Sequence, residues 1–89
     1  MIVEFDKSFE KSLDKIKNKI ILTRIQNAIL KAEKATAIEF IPNSQKLKGF
    51  LKYYRIKIGD YRLGFEKINK DTIRLIIIEH RKDIYKKFP

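Results

Sequence analysis

The fold is decided by residues 53–65, which read YYRIKIGDYRLGF. Apolar and charged side chains alternate on both sides of the pair Gly59-Asp60, a typical two-residue turn of a β-hairpin. With this turn as the fixed point, Lys57 lies opposite Arg62 and the other pairs follow. Because side chains alternate across a strand, one face of the hairpin is apolar and the other is charged.

Hydrophobic periodicity predicts the elements around this hairpin. A short strand comes first, Asp6 caps a first helix, and a break at Asn18 separates it from a second helix that runs to about Ala35. We expect two apolar helix stripes, formed by Phe9, Leu13, Ile16 and Ile20 and by Leu22, Ile25, Ile29 and Ala32. Strands are predicted at 2–5, 53–58, 61–67 and 72–79, with a connector at 37–49 and about one helical turn within the tail, 80–89.

The order βααβββ predicts an α+β fold in which a helical hairpin packs on one face of a small antiparallel sheet. The 89 residues suffice for one domain, residues 1–89. The strand at 72–79 is apolar on both faces, as a central strand would be. It leaves an apolar patch beside the charged face, which a helix or strand of a partner would cover.

The charge of the chain points to a polyanionic partner. Lys and Arg number 21 against 11 Asp and Glu, which gives a formal net charge of +10. Such a surface attracts nucleic acid. Lys-rich helices that are only solvated surfaces are the alternative, and the placement of the charges decides between the two. The absence of cysteine excludes disulfides and thiolate metal sites and fits a reducing, cytoplasmic location. We expect no signal peptide and no membrane span.

The charged face of the hairpin gathers three cations, Arg55, Lys57 and Arg62, which we call the basic face. Cations that lie opposite each other repel, so this arrangement destabilises the sheet, and we expect it to serve a function. On this reading Glu66 is the only acid on that face, and it lies further along the strand. Gly64 either leaves room for a ligand backbone to approach or marks a bulge. A plain solvent-exposed amphipathic hairpin is the alternative.

Three runs of sequence now resemble a known family: KLKG at 46–49, YRIKIGDYR at 54–62 and HRKDIY at 80–85. They resemble the RelE/ParE toxin superfamily, and most closely the RelE-like messenger-RNA endonucleases of type II toxin–antitoxin modules. The preceding helical hairpin matches too. The resemblance implies a toxin that cuts mRNA in the ribosomal A site, with the message's own 2′-hydroxyl as nucleophile and without metal or cofactor. It also implies a cognate antitoxin, and we expect the toxin alone to be monomeric.

The resemblance also implies roles for individual residues. Arg55 and Lys57 fall on the family's paired basic positions of the second strand. Arg62 would contact the scissile phosphate, Arg81 would assist the leaving oxygen, and Tyr85 would stack on or orient a nucleotide. Some family members carry lysine where this chain has Arg55, and this departure moves the role of base elsewhere.

The chemistry itself requires a base for the 2′-hydroxyl, stabilisation of the phosphorane and a proton for the 5′-oxygen. Arginine stays protonated, whereas neighbouring cations favour the neutral amine of Lys57, which can then act as the base. His80 is the second candidate for this role. Tyr85 either stacks on a base or plugs the end of the core.

The predicted substrate-contacting set is completed by Tyr53, Lys48, His80 and Lys82. The side of the sheet on which Arg81 lies depends on the number of residues in the turn before the last strand. A turn with an even number of residues places Arg81 on the same side as Arg62. The acids show no metal-ligand spacing: Asp60, Glu66, Asp71, Glu79 and Asp83.

Two other functions remain open at this point. The same fold serves toxins like ParE, which inhibit DNA gyrase and do not cleave RNA, and fold alone does not separate the two branches. A basic RNA-binding protein without activity is the third reading.

Overall fold

The structure, a computed structural model, describes residues 1–89. It confirms the βααβββ order and the helical turn in the tail, and it adds two short elements within the connector. The elements in chain order are β1 (Ile2–Phe5), α1 (Lys7–Asp14), α2 (Lys19–Lys34), a 3-10 helix (Ile38–Phe40), β2 (Ser44–Lys46), β3 (Tyr53–Ile58), β4 (Tyr61–Asn69), β5 (Thr72–His80) and α3 (Ile84–Lys87).

The hairpin of β3 and β4 has the predicted register throughout. Lys57 pairs with Arg62, Arg55 with Gly64, and the other partners follow in step. Gly59 has φ +58°, a left-handed conformation that glycine adopts without strain. The turn therefore fixes which side chains share a face, as the sequence indicates.

The strands are ordered β1-β5-β4-β3-β2, so β5 is an interior strand with a neighbour on each side, as its two apolar faces predict. All neighbouring pairs are antiparallel except one. β1 runs parallel to β5, with Ile2 opposite Thr72, so the expectation of a purely antiparallel sheet is wrong at this edge. No turn joins β1 to β5, so the sequence carries no signal for its direction.

The two long helices begin at side-chain caps. Asp6 Oδ2 accepts from Ser8 N at 3.1 Å, and Asn18 Oδ1 accepts from Ile20 N at 2.9 Å. Both helix starts are thus confirmed. The assignment of Ile20 to the apolar stripe of the first helix is wrong, because Asn18 starts a new helix with a different phase. Ile20 lies in the first turn of α2 and is 72% exposed.

The main core lies between the helices and one face of the sheet. Ser12, buried on α1, ties the helix to the sheet, since its Oγ accepts from Ile78 N at 2.9 Å. Burial of each large apolar side chain contributes about 1.5–3 kcal/mol. The largest fully buried members are Phe9, Ile25, Ile56, Leu63, Phe65, Ile73, Leu75 and Ile78.

A second, smaller core lies on the opposite face of the sheet. Leu47, Ile84 and Phe88 are buried there, against Ile76 and Ile77 of β5. The apolar patch that we expected a partner to cover is therefore covered by α3 and the tail of the same chain.

Gly64 lies under this second core. A Cβ atom on Gly64 would lie 2.7 Å from Cδ2 of Phe88. The expectation that Gly64 leaves room for a ligand backbone is therefore wrong, because the Phe88 ring fills that space. The alternative fits: the partner register of β4 and β5 shifts by one residue directly after Gly64, which is a β-bulge.

Candidate functional site

The basic face is present as predicted. Arg55 and Lys57 on β3 and Arg62 on β4 project from the side of the sheet opposite α1 and α2. None of the three forms a salt bridge with a carboxylate. Their charges are available to an anion from outside.

Two arginines contact the Gly59-Asp60 turn. Arg62 Nη1 donates to Gly59 O at 2.8 Å and to Tyr61 O at 2.9 Å. The backbone N–H of Arg81 donates to Asp60 O at 2.8 Å, and Arg81 Nε lies 3.9 Å from Asp60 Oδ1. Gly59 of the turn and Tyr61 of β4 thus position the Arg62 side chain through their carbonyl oxygens. Asp60 of the turn positions the backbone of Arg81, directly after β5.

The register of β4 and β5 decides the side on which Arg81 lies. Arg62 pairs with Glu79, and Arg81 continues the ladder by its hydrogen bond to Asp60. Alternation along the strand then returns Arg81 to the side of Arg62. This is the outcome expected for an even-numbered turn, here Lys70-Asp71. We call Lys57, Arg62 and Arg81 the turn cluster.

The acids on the basic face differ from the prediction. Glu79 lies directly across from Arg62, so the reading of Glu66 as the only acid is wrong. Each of the two carboxylates has another partner: Glu79 is 3.2 Å from Lys87 Nζ, and Glu66 is 3.1 Å from Lys52 Nζ. The hydrogen bond to Glu66 raises the pKa of Lys52. The acids are thus paired with lysines outside the turn cluster.

Arg55 is directed away from the turn cluster, towards β2. Its Nη1 donates to Asn43 O at 3.1 Å, and its Nη2 donates to Gln45 Oε1. Two of its donors are therefore used within the protein. The paired basic positions of β3 consequently differ in their surroundings, since Lys57 is exposed and Arg55 is half-buried.

A cleft of about 530 Å³ lies between β2 and the C-terminal segment, and we call it the aromatic cleft. Tyr85 of α3 stands at its wall and is 61% exposed, so Tyr85 is not a plug of the core. Ile84 and Phe88 take that place. The cleft is lined by Gln45, Lys46, Leu47, Lys48, Phe50, Arg55, Tyr85, Phe88 and Pro89.

Phe50 and Gln45 are cleft residues that the sequence reasoning missed. Phe50 is 43% exposed although it is large and apolar, and it follows Gly49, which has φ +86°. The sequence signal that could have identified Phe50 was its position directly after the family motif KLKG. Tyr53 lies beside it, half-buried, with its ring edge-to-face to Phe50 at 5.8 Å and to Phe88 at 5.5 Å. Tyr53 is not a lining residue of the cleft, but it packs against two residues that are.

His80 lies apart from the turn cluster. It pairs with Tyr61, on the face that the helices cover, and the two rings are 5.7 Å apart. Its Nδ1 accepts from the backbone N–H of Lys82 at 3.2 Å. Lys82 is exposed in the turn that leads into α3. The sheet therefore separates His80 from Lys57, the other candidate for the base.

Two further observations concern metals and membranes. No three His, Cys, Asp or Glu side chains come together in a group that could hold a metal ion. None of the helices combines the length and the apolar character needed to cross a membrane.

Comparison with known proteins places the chain in a family. Residues 3–85 match the family described as ParE toxin of type II toxin-antitoxin system, parDE. Toxin RelE3 of Methanocaldococcus jannaschii is 38% identical over 90 residues, which span 100% of both proteins. The chain therefore belongs to the RelE/ParE family of type II toxin–antitoxin toxins, as the sequence resemblance predicts.

Solved structures agree with this assignment. A chain in the crystal structure of the RelB–RelE antitoxin–toxin complex from Methanococcus jannaschii superimposes with a TM-score of 0.79 at 36% identity, covering 97% of this chain and 99% of that one. The RelE–RelB complex from Pyrococcus horikoshii gives a TM-score of 0.71 at 21% identity, covering 93% of this chain and 97% of that one. The E. coli RelBE complex gives 0.69 at 23% identity, covering 89% and 94%. The last two likenesses show the fold, which confirms the RelE-like architecture.

Proposed function

We propose that this toxin is a ribosome-dependent endoribonuclease that cuts mRNA in the A site with the substrate's 2′-hydroxyl as nucleophile. The observation that carries the proposal is the turn cluster, in which Lys57, Arg62 and Arg81 lie around one short turn. A phosphorane carries concentrated negative charge, and preorganised cations stabilise it more than they stabilise the ground state.

The three cations have different tasks in this mechanism. Lys57 is exposed and acts as the base for the proton of the 2′-hydroxyl. Arg62, held by Gly59 O, contacts the scissile phosphate. As the 2′-oxygen bonds to phosphorus, the bond from phosphorus to the 5′-oxygen breaks. Arg81 stabilises the charge on this departing oxygen, which takes a proton from water. The placement of His80 on the other side of the sheet favours Lys57 as the base.

Nucleotides next to the cut bind in the aromatic cleft. Tyr85 offers an exposed ring for stacking, as aromatic side chains do in RNA recognition. Lys48 and Lys82, both exposed, neutralise nearby backbone phosphates. The cleft and the turn cluster lie along one side of the sheet, so a single strand of RNA can reach both.

A cognate antitoxin is the protein partner in this proposal. The structures from Methanococcus jannaschii and Pyrococcus horikoshii are complexes of RelE with RelB. An acidic segment with apolar side chains would neutralise the basic face and exclude RNA from it. The toxin then acts in the cytoplasm, where its message and its antitoxin are made.

Inhibition of DNA gyrase is the second candidate, because the matching family description is that of ParE toxin. One experiment separates the two. After brief expression of the toxin, the 5′ ends of a translated message are mapped and chromosomal DNA is examined for double-strand breaks. Cuts within codons of translated messages support the nuclease. Intact message together with DNA breaks would overturn it in favour of the second candidate.

A further inference from the structure

The side-chain amide of Gln45 is held in one orientation. Gln45 on β2 pairs with Arg55 on β3, and Arg55 Nη2 donates to Gln45 Oε1. Arg55 is itself fixed by its hydrogen bond to Asn43 O. A guanidinium only donates, so the amide must direct its oxygen to Arg55 and leave its NH₂ group free as a donor. Both glutamine and arginine line the aromatic cleft.

The walls of this cleft suit a planar heterocycle. Tyr85 and Phe50 both present exposed ring surface, and Leu47 and Phe88 form a buried apolar floor. Aromatic side chains stack on unpaired bases of any kind. A volume of about 530 Å³ is ample for one nucleotide.

We propose that the aromatic cleft binds one unpaired nucleobase and that Gln45 selects it by donating a hydrogen bond to the keto oxygen at C6 of guanine or C4 of uracil. Guanine and uracil carry a keto oxygen where adenine and cytosine carry an amino group. A donor facing an amino group leaves both groups unpaired, which weakens binding. Arg55 acts here as a positioning residue, because it orients the amide. This inference rests on the proposed function for its RNA substrate.

Nucleotide binding tests the proposal without cleavage. The chain has two glutamines, Gln45 and Gln26, so their side-chain amides give two pairs of signals in a ¹⁵N-labelled sample, which the variants at these positions assign. We expect GMP and UMP to shift the Gln45 amide signals and leave those of Gln26 in place. AMP and CMP should bind roughly two- to tenfold more weakly, the effect of one hydrogen bond.

The decisive variant is Gln45→Glu, which keeps the acceptor for Arg55 and removes the donor. Gln26→Glu on α2 adds the same charge at another exposed position and serves as the matched control. We expect Gln45→Glu to abolish the keto preference and Gln26→Glu to retain it. Equal binding of all four nucleotides by the wild type, no shift at Gln45, or an unchanged preference in Gln45→Glu would overturn the proposal.

The same variants are then tested on ribosomes programmed with messages that differ in one base of the A-site codon. The keto preference should recur at one codon position in the wild type and in Gln26→Glu, and be lost in Gln45→Glu. Cleavage without such a preference would overturn the proposed selection by Gln45, whereas the proposed nuclease activity would stand. Selective nucleotide binding without any cleavage would contradict the nuclease and leave the base-binding cleft intact.

Discussion

The ring of Phe88 packs directly on Gly64, so closely that a Cβ atom at position 64 would lie 2.7 Å from Phe88 Cδ2. This contact joins the C-terminal segment to the middle of the sheet. Tyr85 lies on α3 between Ile84 and Phe88, both of which are buried. The glycine therefore fixes the position of Tyr85 indirectly, through the tail that carries it.

Gly64→Ala should displace the tail and lower the free energy of unfolding by about 1–3 kcal/mol, the usual effect of overpacking. Chemical denaturation measures this. In the double variant Gly64→Ala/Phe88→Ala the clash is gone, so the combined loss should be smaller than the sum of the two single losses. Strict additivity of the two losses would show that the two residues do not interact.

Ser12→Ala should lower the free energy of unfolding by about 1–3 kcal/mol, because the N–H of Ile78 then stays buried without a partner. The matched control is Thr23→Ala on α2, whose exposed hydroxyl donates to Lys19 O at 3.0 Å. This control should change stability by less than about 0.5 kcal/mol. Equal losses from the two substitutions would refute the role of Ser12 in joining α1 to β5.

Asp6 should make stability depend on pH in the acid range. Hydrogen bonds from the side chain and the backbone of Ser8 lower the pKa of Asp6 from its ordinary 3.8. A lowered folded-state pKa means that the stabilisation is present above pH 3.8 and is lost as the pH falls through the folded-state value.

The Asp6→Asn variant keeps a capping side chain that does not ionise. The difference in thermal midpoint between wild type and variant should therefore narrow as the pH is lowered from 6 to about 2. If the thermal midpoints of the two proteins changed in parallel with pH, the Asp6 cap would not be the source of the pH dependence of stability.

Binding to programmed ribosomes should weaken steeply as salt rises, because phosphate contacts release counterions. Lys48→Ala should reduce the slope of log affinity against log salt by about 0.7–0.9, the effect of one phosphate contact. The control is Lys70→Ala, which lies in the turn at the far end of β4 and β5 from Gly59-Asp60 and should keep the wild-type slope. An identical slope in wild type and Lys48→Ala would remove Lys48 from the RNA-binding surface.

Much of this fold follows from short-range signals. The Gly59-Asp60 turn sets the register of β3 and β4, and Asp6 and Asn18 mark the helix starts because capping depends on adjacent residues. The basic face follows from the same register by simple alternation. These features could be predicted from the sequence because each depends on neighbours within a few residues.

The features that sequence reasoning missed depend on contacts between distant segments. Gly64 is filled by Phe88, and β1 joins β5 from the other end of the chain. Glu79 lies opposite Arg62 through the pairing of β4 with β5, which depends on the turn at Lys70-Asp71. Alternation along a single strand carries no information about any of these three contacts.

Single-turnover cleavage on programmed ribosomes tests the nuclease account most directly, with circular dichroism to verify folding. We expect Arg81→Ala and Lys57→Ala each to slow cleavage on the order of a hundredfold or more, the loss of one preorganised transition-state contact. Lys70→Ala should cut at the wild-type rate. A message with one 2′-deoxynucleotide on the 5′ side of the cut should stay intact, because the nucleophile is missing. Cleavage of that message, or wild-type rates in both Arg81→Ala and Lys57→Ala, would contradict the account.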